Sequence, residues 1–469
     1  MIMTKFDFEL VLPGKHAYFI GVGGVGMSAV ARVLRHLGLR VSGSDSKAGK
    51  MVESLCAEGI RVHIGQTESH LDDVDFVVYS SAILPNHLEL EAARRLGLPI
   101  YHRAEVLAAL FNRAETSIAV TGTHGKTTTT SMISYVMSCL GKNPTCLVGG
   151  DVLNFRTNTV LGQNHYWVAE ADESDRSHEL YAPSYAIVTN LEQDHIENYP
   201  KFSDLEQSFE RFVANAQDPG AIIYPLMDRA LKTIVKNSGR PCISFGFTEE
   251  ADFAAVNIEF DAFGSSFDLL ECGLYAGRFQ LAVPGLHNIA NALAAMTLFA
   301  QLGLDFDEVR KPLAEFKGAR RRLEVKYTSD ELVVVDDYAH HPTEVLASIE
   351  ALKKMGKRLT VVFQPHRFTR TRYFFKEFGE VLRQADDVIL TEVYAAGELN
   401  PEGTGVDLIY REVCGYGHPA VRVMDKKEVS DYLANRKEQE PSIVAFLGAG
   451  DIGEVADEFA SRFKSISAA

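Results

Sequence analysis

Apolar and polar positions along this chain follow two rhythms that trade places repeatedly. Short apolar runs at residues 17–20, 39–42, 75–79 and 99–101 read as buried strands. Between them, residues 27–37 and 87–96 read as helices. A segment with helical character, 103–115, links this unit to the next. A second region opens on the apolar run 117–120 and continues with strands at 145–148, 165–169, 185–189, 222–224 and 242–245, separated by helical stretches. Over 251–284 the period shortens to two, which predicts an antiparallel excursion with turns at Gly264 and Gly277. A helix over 288–302 and the basic run 316–322 close the region. A third region holds strands at 332–335, 359–363, 387–390 and 443–447, with a helix over 342–354. Strands alternating with helices predict an α/β chain of three units, 1–112, 113–322 and 323–469.

Composition narrows what such a chain can do. Its 469 residues are 46% hydrophobic and 23% charged, as in a globular enzyme with large buried cores. A formal charge of −16 argues against a nucleic-acid partner, which asks for a basic face. Any anionic ligand must be met by local arginines and lysines. Six scattered cysteines show no C-x-x-C pair, which suits free thiols in a reducing cytoplasm. No segment is long and apolar enough to span a membrane, and neither secretion nor a membrane partner is expected.

Candidate chemistry sits where strands end. After the run 117–120 come Gly122, Thr123, His124, Gly125, Lys126, Thr127 and Thr128, ahead of a helix. Glycines let backbone N–H groups converge on phosphate, the helix N-terminus adds positive potential, and Lys126 adds charge. The Thr127 hydroxyl is placed to meet a phosphate-bound Mg2+. The strict spacing would put a glycine where Val120 stands, so this loop is a variant cradle. A second glycine loop, Gly21, Gly23, Gly24 and Gly26, follows the first strand, and Ser44 and Asp45 lie about twenty residues on. Such a loop accommodates a pyrophosphate, of which a nicotinamide dinucleotide is only one carrier. Ser80 ends another strand of the same unit.

Downstream, Glu170, Asp172, Glu173 and Asp175 place four carboxylates past a strand end, a donor set for a divalent cation. Asp194 and His195 follow the next strand, and His195 reads equally as a metal ligand or a turn cap. His287, Asn288 and Asn291 share the start of a helix, where amides can read an adenine edge or Asn288 can merely cap. The arginines 320–322 suit phosphate. The run 336–343 holds Tyr338, His340 and His341, whose adjacency argues against zinc. His366, Arg367, Arg370 and Arg372 form a cationic loop suited to a carboxylate or phosphate.

These motifs occur in an order that resembles the Mur ligase family, from about residue 15 to 456. Within it the match is to the branch that adds L-alanine to UDP-N-acetylmuramate in peptidoglycan precursor synthesis. The resemblance implies a Rossmann-like N-terminal domain for the UDP-sugar, a P-loop-type central ATPase domain and a Rossmann-like C-terminal domain. It implies that Gly21, Gly23, Gly24, Gly26, Ser44, Asp45, Ser80 and Tyr338 bind the UDP-sugar. Residues 122–128 with His287, Asn288, Asn291 and Arg321 would hold ATP. Thr127, Glu173 and His195 would hold Mg2+, and Lys126, Glu173, His195, His340, Arg367 and Arg370 would carry catalysis. Many sibling ligases use a carbamylated lysine, but residues 202–216 contain none. The nearest rival is the tripeptide-recycling ligase of the same superfamily, against which the glycine loop 21–26 and the run 364–372 both speak. A cytoplasmic monomer or weak homodimer is expected.

Overall fold

The computed structural model describes residues 6–163, 165–261, 264–400, 402–436 and 440–464; the outer ends of the first and third predicted units fall outside these. Three sheets follow one another along the chain. The first holds β1 (His16–Ile20), β2 (Arg40–Asp45), β3 (Arg61–Ile64), β4 (Phe76–Tyr79) and β5 (Ile100–His102), all parallel in the order β3-β2-β1-β4-β5. The strand order reverses beside β1, and in such sheets ligands bind at the carboxyl ends flanking that reversal. The glycine loop follows β1 and Ser80 follows β4, on either side of it.

The second sheet holds β6 (Thr116–Thr121), β7 (Thr145–Val152), β8 (Thr157–Val160), β9 (Tyr166–Glu170), β10 (Tyr185–Val188), β11 (Ala221–Pro225), β12 (Cys242–Gly246), β13 (Phe253–Phe260), β14 (Ser265–Glu271) and β15 (Leu274–Leu281). Its order is β15-β14-β13-β12-β11-β10-β6-β9-β7-β8, with β8, β14 and β15 antiparallel to their neighbours. β6 lies between β10 and β9, so three strand ends deliver the phosphate loop, Glu170 and Asn190 to one place. The third sheet holds β16 (Glu324–Thr328), β17 (Leu332–Asp337), β18 (Arg358–Phe363), β19 (Asp387–Leu390), β20 (Val421–Val423) and β21 (Ser442–Leu447), in the order β16-β17-β21-β18-β19-β20. Only β16 runs antiparallel.

Burial explains why these runs are strands. β6 and β21 are buried almost throughout, as expected of parallel strands with helices on both faces. One apolar core joins Phe19, Val30 and Phe111 to Trp167 and Phe209, tying the first sheet to the second. Among the described residues no helix is long and apolar enough to cross a membrane.

Three expectations change. The segment 103–115 is mostly the helix Arg103–Phe111, started by His102 and Glu105 in a reciprocal cap, with Val106 and Phe111 fully buried. The chain reverses at Cys272 and Gly273, both at positive φ, whereas Gly277 lies inside β15 opposite Leu269 at a bulge. The helix predicted over 288–302 is Leu286–Gln301, so Asn288 sits within its first turn and Gly285 precedes it.

Candidate active site

The phosphate loop is built around space that only glycine leaves. Gly122 has φ +133°, and a Cβ there would fall 2.1 Å from Thr189 Oγ1; Gly125 has φ +83°, and a Cβ would fall 2.4 Å from Asn291 Oδ1. Asn190 clasps the loop from β10, accepting from the His124 N–H at 2.8 Å and donating to the His124 carbonyl at 3.0 Å. Lys126 folds back, donating to the Gly122 carbonyl at 2.6 Å and to Glu173 Oε1 at 2.9 Å. The Thr127 hydroxyl donates to Glu170 Oε1 at 3.0 Å, while Gly149 N–H donates to the other oxygen at 2.7 Å.

Two cavities open from this loop. The narrower, about 160 Å³, is lined by Gly125, Thr128, Phe245, His287, Asn288 and Asn291 on one side and by Arg322, Asp337, Glu344 and Ser348 on the other. Burial lowers the His287 pKa to about 4, so it meets a ligand as a neutral ring. The wider cavity, about 450 Å³, gathers Thr123, Lys126, Thr127, Glu170, Asp172, His195, Tyr338, His340, Arg367 and Arg370. Glu173 stands behind Lys126, buried, with His195 Nε2 3.5 Å from its carboxylate. Burial disfavours charge on His195, but Glu173, Glu197 and Asp194 overcome it and raise its pKa to about 10. Burial likewise opposes charge on Asp172, and Lys126 still holds that carboxyl below its ordinary value.

A third recess lies at the first glycine loop, lined by Gly24, Gly26, Ser80, Arg103, Gly149, Glu170 and Asp172. Asp45 caps the loop by accepting from the Gly23 N–H at 2.9 Å. Ser44 does not reach this recess. Its buried hydroxyl donates to Glu89 Oε2 at 2.5 Å, and only its carbonyl touches the loop, accepting from Gly21 and Val22.

Several predicted groups are present but already engaged. Arg370 pairs in bidentate fashion with Asp194, and Arg367 Nη1 meets Glu197 Oε1 at 2.6 Å. Arg321, expected at phosphate, donates to the Gly448 and Gly450 carbonyls at 2.6 and 2.9 Å and to Asp336 at 3.3 Å. Its neighbour Arg322 lines both larger cavities. Tyr338 stands in the wide cavity with both guanidinium carbons 5.2 Å from its ring, and it is absent from the recess at the first glycine loop. Arg322, Asn190, Arg103 and Glu344 carry positions that the sequence reading did not single out. The first two lay inside motifs already quoted, so the motif was visible and the particular residue was not.

Oxygen donors dominate the wide cavity and suit a hard divalent cation. His195 would join such a set only after giving up the proton that its carboxylate neighbours hold. His124, Glu192 and His341 also bring donor atoms within 4.8 Å of one another, an association across sheets that the adjacency of His340 and His341 concealed. Burial disfavours a charged His124, yet Glu344 and Glu192 raise it to about 9, and the cluster is an imidazolium between carboxylates. Its ring lies 3.2 Å from Glu344 and 3.6 Å from Glu192.

Comparison with known proteins bears on all three sheets. Residues 16–115 match the Mur ligase family catalytic domain, 120–299 the Mur ligase middle domain and 321–450 the Mur ligase glutamate ligase domain. The chain is 39% identical over 447 residues to the UDP-N-acetylmuramate–L-alanine ligase of Aquifex aeolicus, covering 95% of this chain and 97% of that protein. It is 40% identical over 464 residues to the enzyme of the same name from Gloeobacter violaceus, covering 98% of each. The crystal structure of the UDP-N-acetylmuramate–alanine ligase of Thermotoga maritima superposes with a TM-score of 0.81 at 29% identity, over 96% of this chain and 99% of that one.

Proposed function

The chain belongs to the Mur ligase family, and from that premise we propose how its cavities divide the work of joining L-alanine to UDP-N-acetylmuramate. The observation that carries the reading is the convergence of three strand ends on one wide cavity that also receives His340, Arg367 and Arg370 from the third sheet. The three units, taken as 1–112, 113–322 and 323–469, each contribute one wall.

A carboxylate does not react with an amine at neutral pH, because oxide is a poor leaving group. ATP removes that obstacle. The lactyl carboxylate attacks the γ-phosphate, ADP departs, and an acyl phosphate forms. The amine of L-alanine then displaces phosphate to leave an amide. Two anions must approach each other in the first step, so Lys126 and Arg322 screen the charge. The adenine enters the narrow cavity beside His287, Asn288 and Asn291. The UDP pyrophosphate lies on the backbone of Gly21 to Gly26, with the muramyl arm running past Gly149 toward Lys126. Mg2+ would be held by Thr127, Glu173 and, once deprotonated, His195, and when bound it supplies further charge screening on the phosphates. Here the helix Phe202–Ala214 offers Ser208, not lysine, against Tyr199, so no carbamate completes the set. The reaction belongs to the cytoplasm, where ATP is available.

Incubation with MgATP, UDP-N-acetylmuramate and equimolar L-alanine and L-Ala-D-Glu-meso-diaminopimelate tests the reading. Mass spectrometry is expected to find the alanine adduct. A dominant tripeptide adduct would transfer the chain to the recycling branch.

A further inference from the structure

Two histidines in the wide cavity are held in opposite tautomers. His340 Nδ1 lies 2.9 Å from the Tyr338 carbonyl and 3.2 Å from Glu344 Oε2. Both are acceptors, so Nδ1 carries the proton and Nε2 presents a lone pair. His366 Nδ1 lies 3.1 Å from Arg370 Nη1. Arginine only donates, so here Nδ1 is the acceptor and Nε2 carries the proton. Among the described residues neither Nε2 has a hydrogen-bond partner, and both residues line the cavity with Arg367 and Tyr338.

The rings are fixed in orientation as well as protonation. Tyr338 meets His340 edge-on at 5.3 Å, His366 stacks on Tyr394 at 5.7 Å and 11°, and the two imidazoles are 5.6 Å apart. A proton acceptor and a proton donor therefore stand side by side in one wall. An amino acid has one group for each.

We propose that His340 and His366 read the two ends of the incoming amino acid: His340 Nε2 takes the amine proton as the C–N bond forms, and His366 Nε2–H donates to the carboxylate. This deepens the ligase reading and rests on it. The amine nitrogen bonds to the acyl carbon and becomes cationic. Its proton passes to His340 Nε2, the bond from acyl carbon to phosphate oxygen breaks, and phosphate leaves with the electron pair. The groups facing His340 are Glu344 on its own helix, Asp194 from the loop after β10, and Arg370 and His366 from beyond β18. Burial, with Arg370 beside it, leaves the ring neutral and able to accept. An anionic acyl phosphate in the cavity then favours the imidazolium.

Hydroxylamine separates the steps, because it is a much weaker base than alanine and needs no partner to shed its proton. Wild-type protein with MgATP, UDP-N-acetylmuramate and hydroxylamine is expected to yield a hydroxamate. If it yields none, the ligase reading itself fails. In His340→Ala, alanine ligation is expected to fall about 10²–10⁴-fold while hydroxamate formation stays within about threefold of wild type. Loss of both products together, or of neither, overturns the assignment of His340 and leaves the ligase reading standing. Hydroxamate formation also reports that the variant is folded. For His366, the alanine KM is expected to rise about tenfold in His366→Ala and to recover in His366→Gln, which keeps an N–H at that reach. Equal KM values in the two variants overturn its part.

Discussion

Arg370 grips Asp194 across the boundary between the third and second sheets, with Nη2 2.8 Å and Nε 3.1 Å from the same carboxylate oxygen. Both side chains are about 5% exposed, so the pair is buried. Burial opposes a charged Asp194, and the Arg370 guanidinium still holds its carboxyl far below the usual range. Removing one member leaves the other charged and unpaired.

Arg370→Met and Asp194→Asn are each expected to lower stability by about 3–5 kcal/mol, and the double variant by clearly less than their sum. Denaturant unfolding of all four proteins measures the coupling. Additive losses would mean that the ion pair does not join the sheets. Because the Asp194 pKa is depressed, its contribution is present above the ordinary carboxylate range and vanishes only as pH falls far below it.

The first glycine loop allows a cleaner probe than size alone suggests. A Cβ on Gly23 would fall 2.7 Å from Asp45 Oδ2 and 3.0 Å from Val52, so any side chain there breaks the cap as well as the site. A Cβ on Gly24 meets nothing closer than 3.5 Å, and its φ of −64° suits any residue. Gly24→Ala is expected to raise the KM for UDP-N-acetylmuramate about tenfold, about 1.4 kcal/mol, with the KM for ATP unchanged. An ATP effect with no sugar effect would reverse the assignment of the two glycine loops.

What could be read from sequence, and what could not, follows from how far each signal reaches. The phosphate loop was legible because glycine, lysine and threonine must sit within one turn of each other, and Gly122 and Gly125 do adopt positive φ. Gly277 shows the limit. It carries the same residue type as Gly273, yet only the cross-strand register decides which of them turns. The edge strands β3, β8, β16 and β20 escaped because a half-exposed strand has too few apolar positions to announce itself. Arg367 and Arg370 were visible as a cationic loop, but their carboxylate partners lie far away in sequence. Ser44 was misplaced for the same reason, since Glu89 takes its hydroxyl.

His124 makes stability depend on pH in a defined window. Its pKa is raised from 6.5 to about 9, so its ion pairs with Glu344 and Glu192 contribute fully below pH 6.5. That contribution, up to about 3 kcal/mol, is lost as pH rises through 9. His195, raised to about 10, declines over an overlapping range, so the test is a difference. Wild type and His124→Gln are unfolded in urea at pH values from 6.5 to 9.5. Wild type should lose more stability than the variant across this span. Parallel profiles would mean that the imidazolium does not bridge the two carboxylates.

Neighbouring arginines 321 and 322 should separate structure from chemistry. Arg321 has φ +57° and spends its guanidinium on two carbonyls and Asp336, fastening the start of the third unit to the turn after β21. Arg322 lies between the narrow and wide cavities, where the β- and γ-phosphates of ATP would pass, with Glu344 3.5 Å away as its nearest counter-charge. Burial disfavours its charge, but Glu344 and Asp337 keep the guanidinium ionised. Arg322→Ala should therefore raise the KM for ATP at least about tenfold, since a hydrogen bond to a charged group is worth about 1.5–3 kcal/mol, and leave the melting temperature nearly unchanged. Arg321→Ala should do the reverse, lowering stability by about 1–3 kcal/mol through the abandoned acceptors while the KM for ATP moves little. Steady-state kinetics and thermal unfolding on the two variants decide the matter. If Arg321→Ala cripples ATP use in a stable protein, the phosphate role returns to the arginine that the sequence first suggested, and its three contacts here must exchange for phosphate when ATP binds.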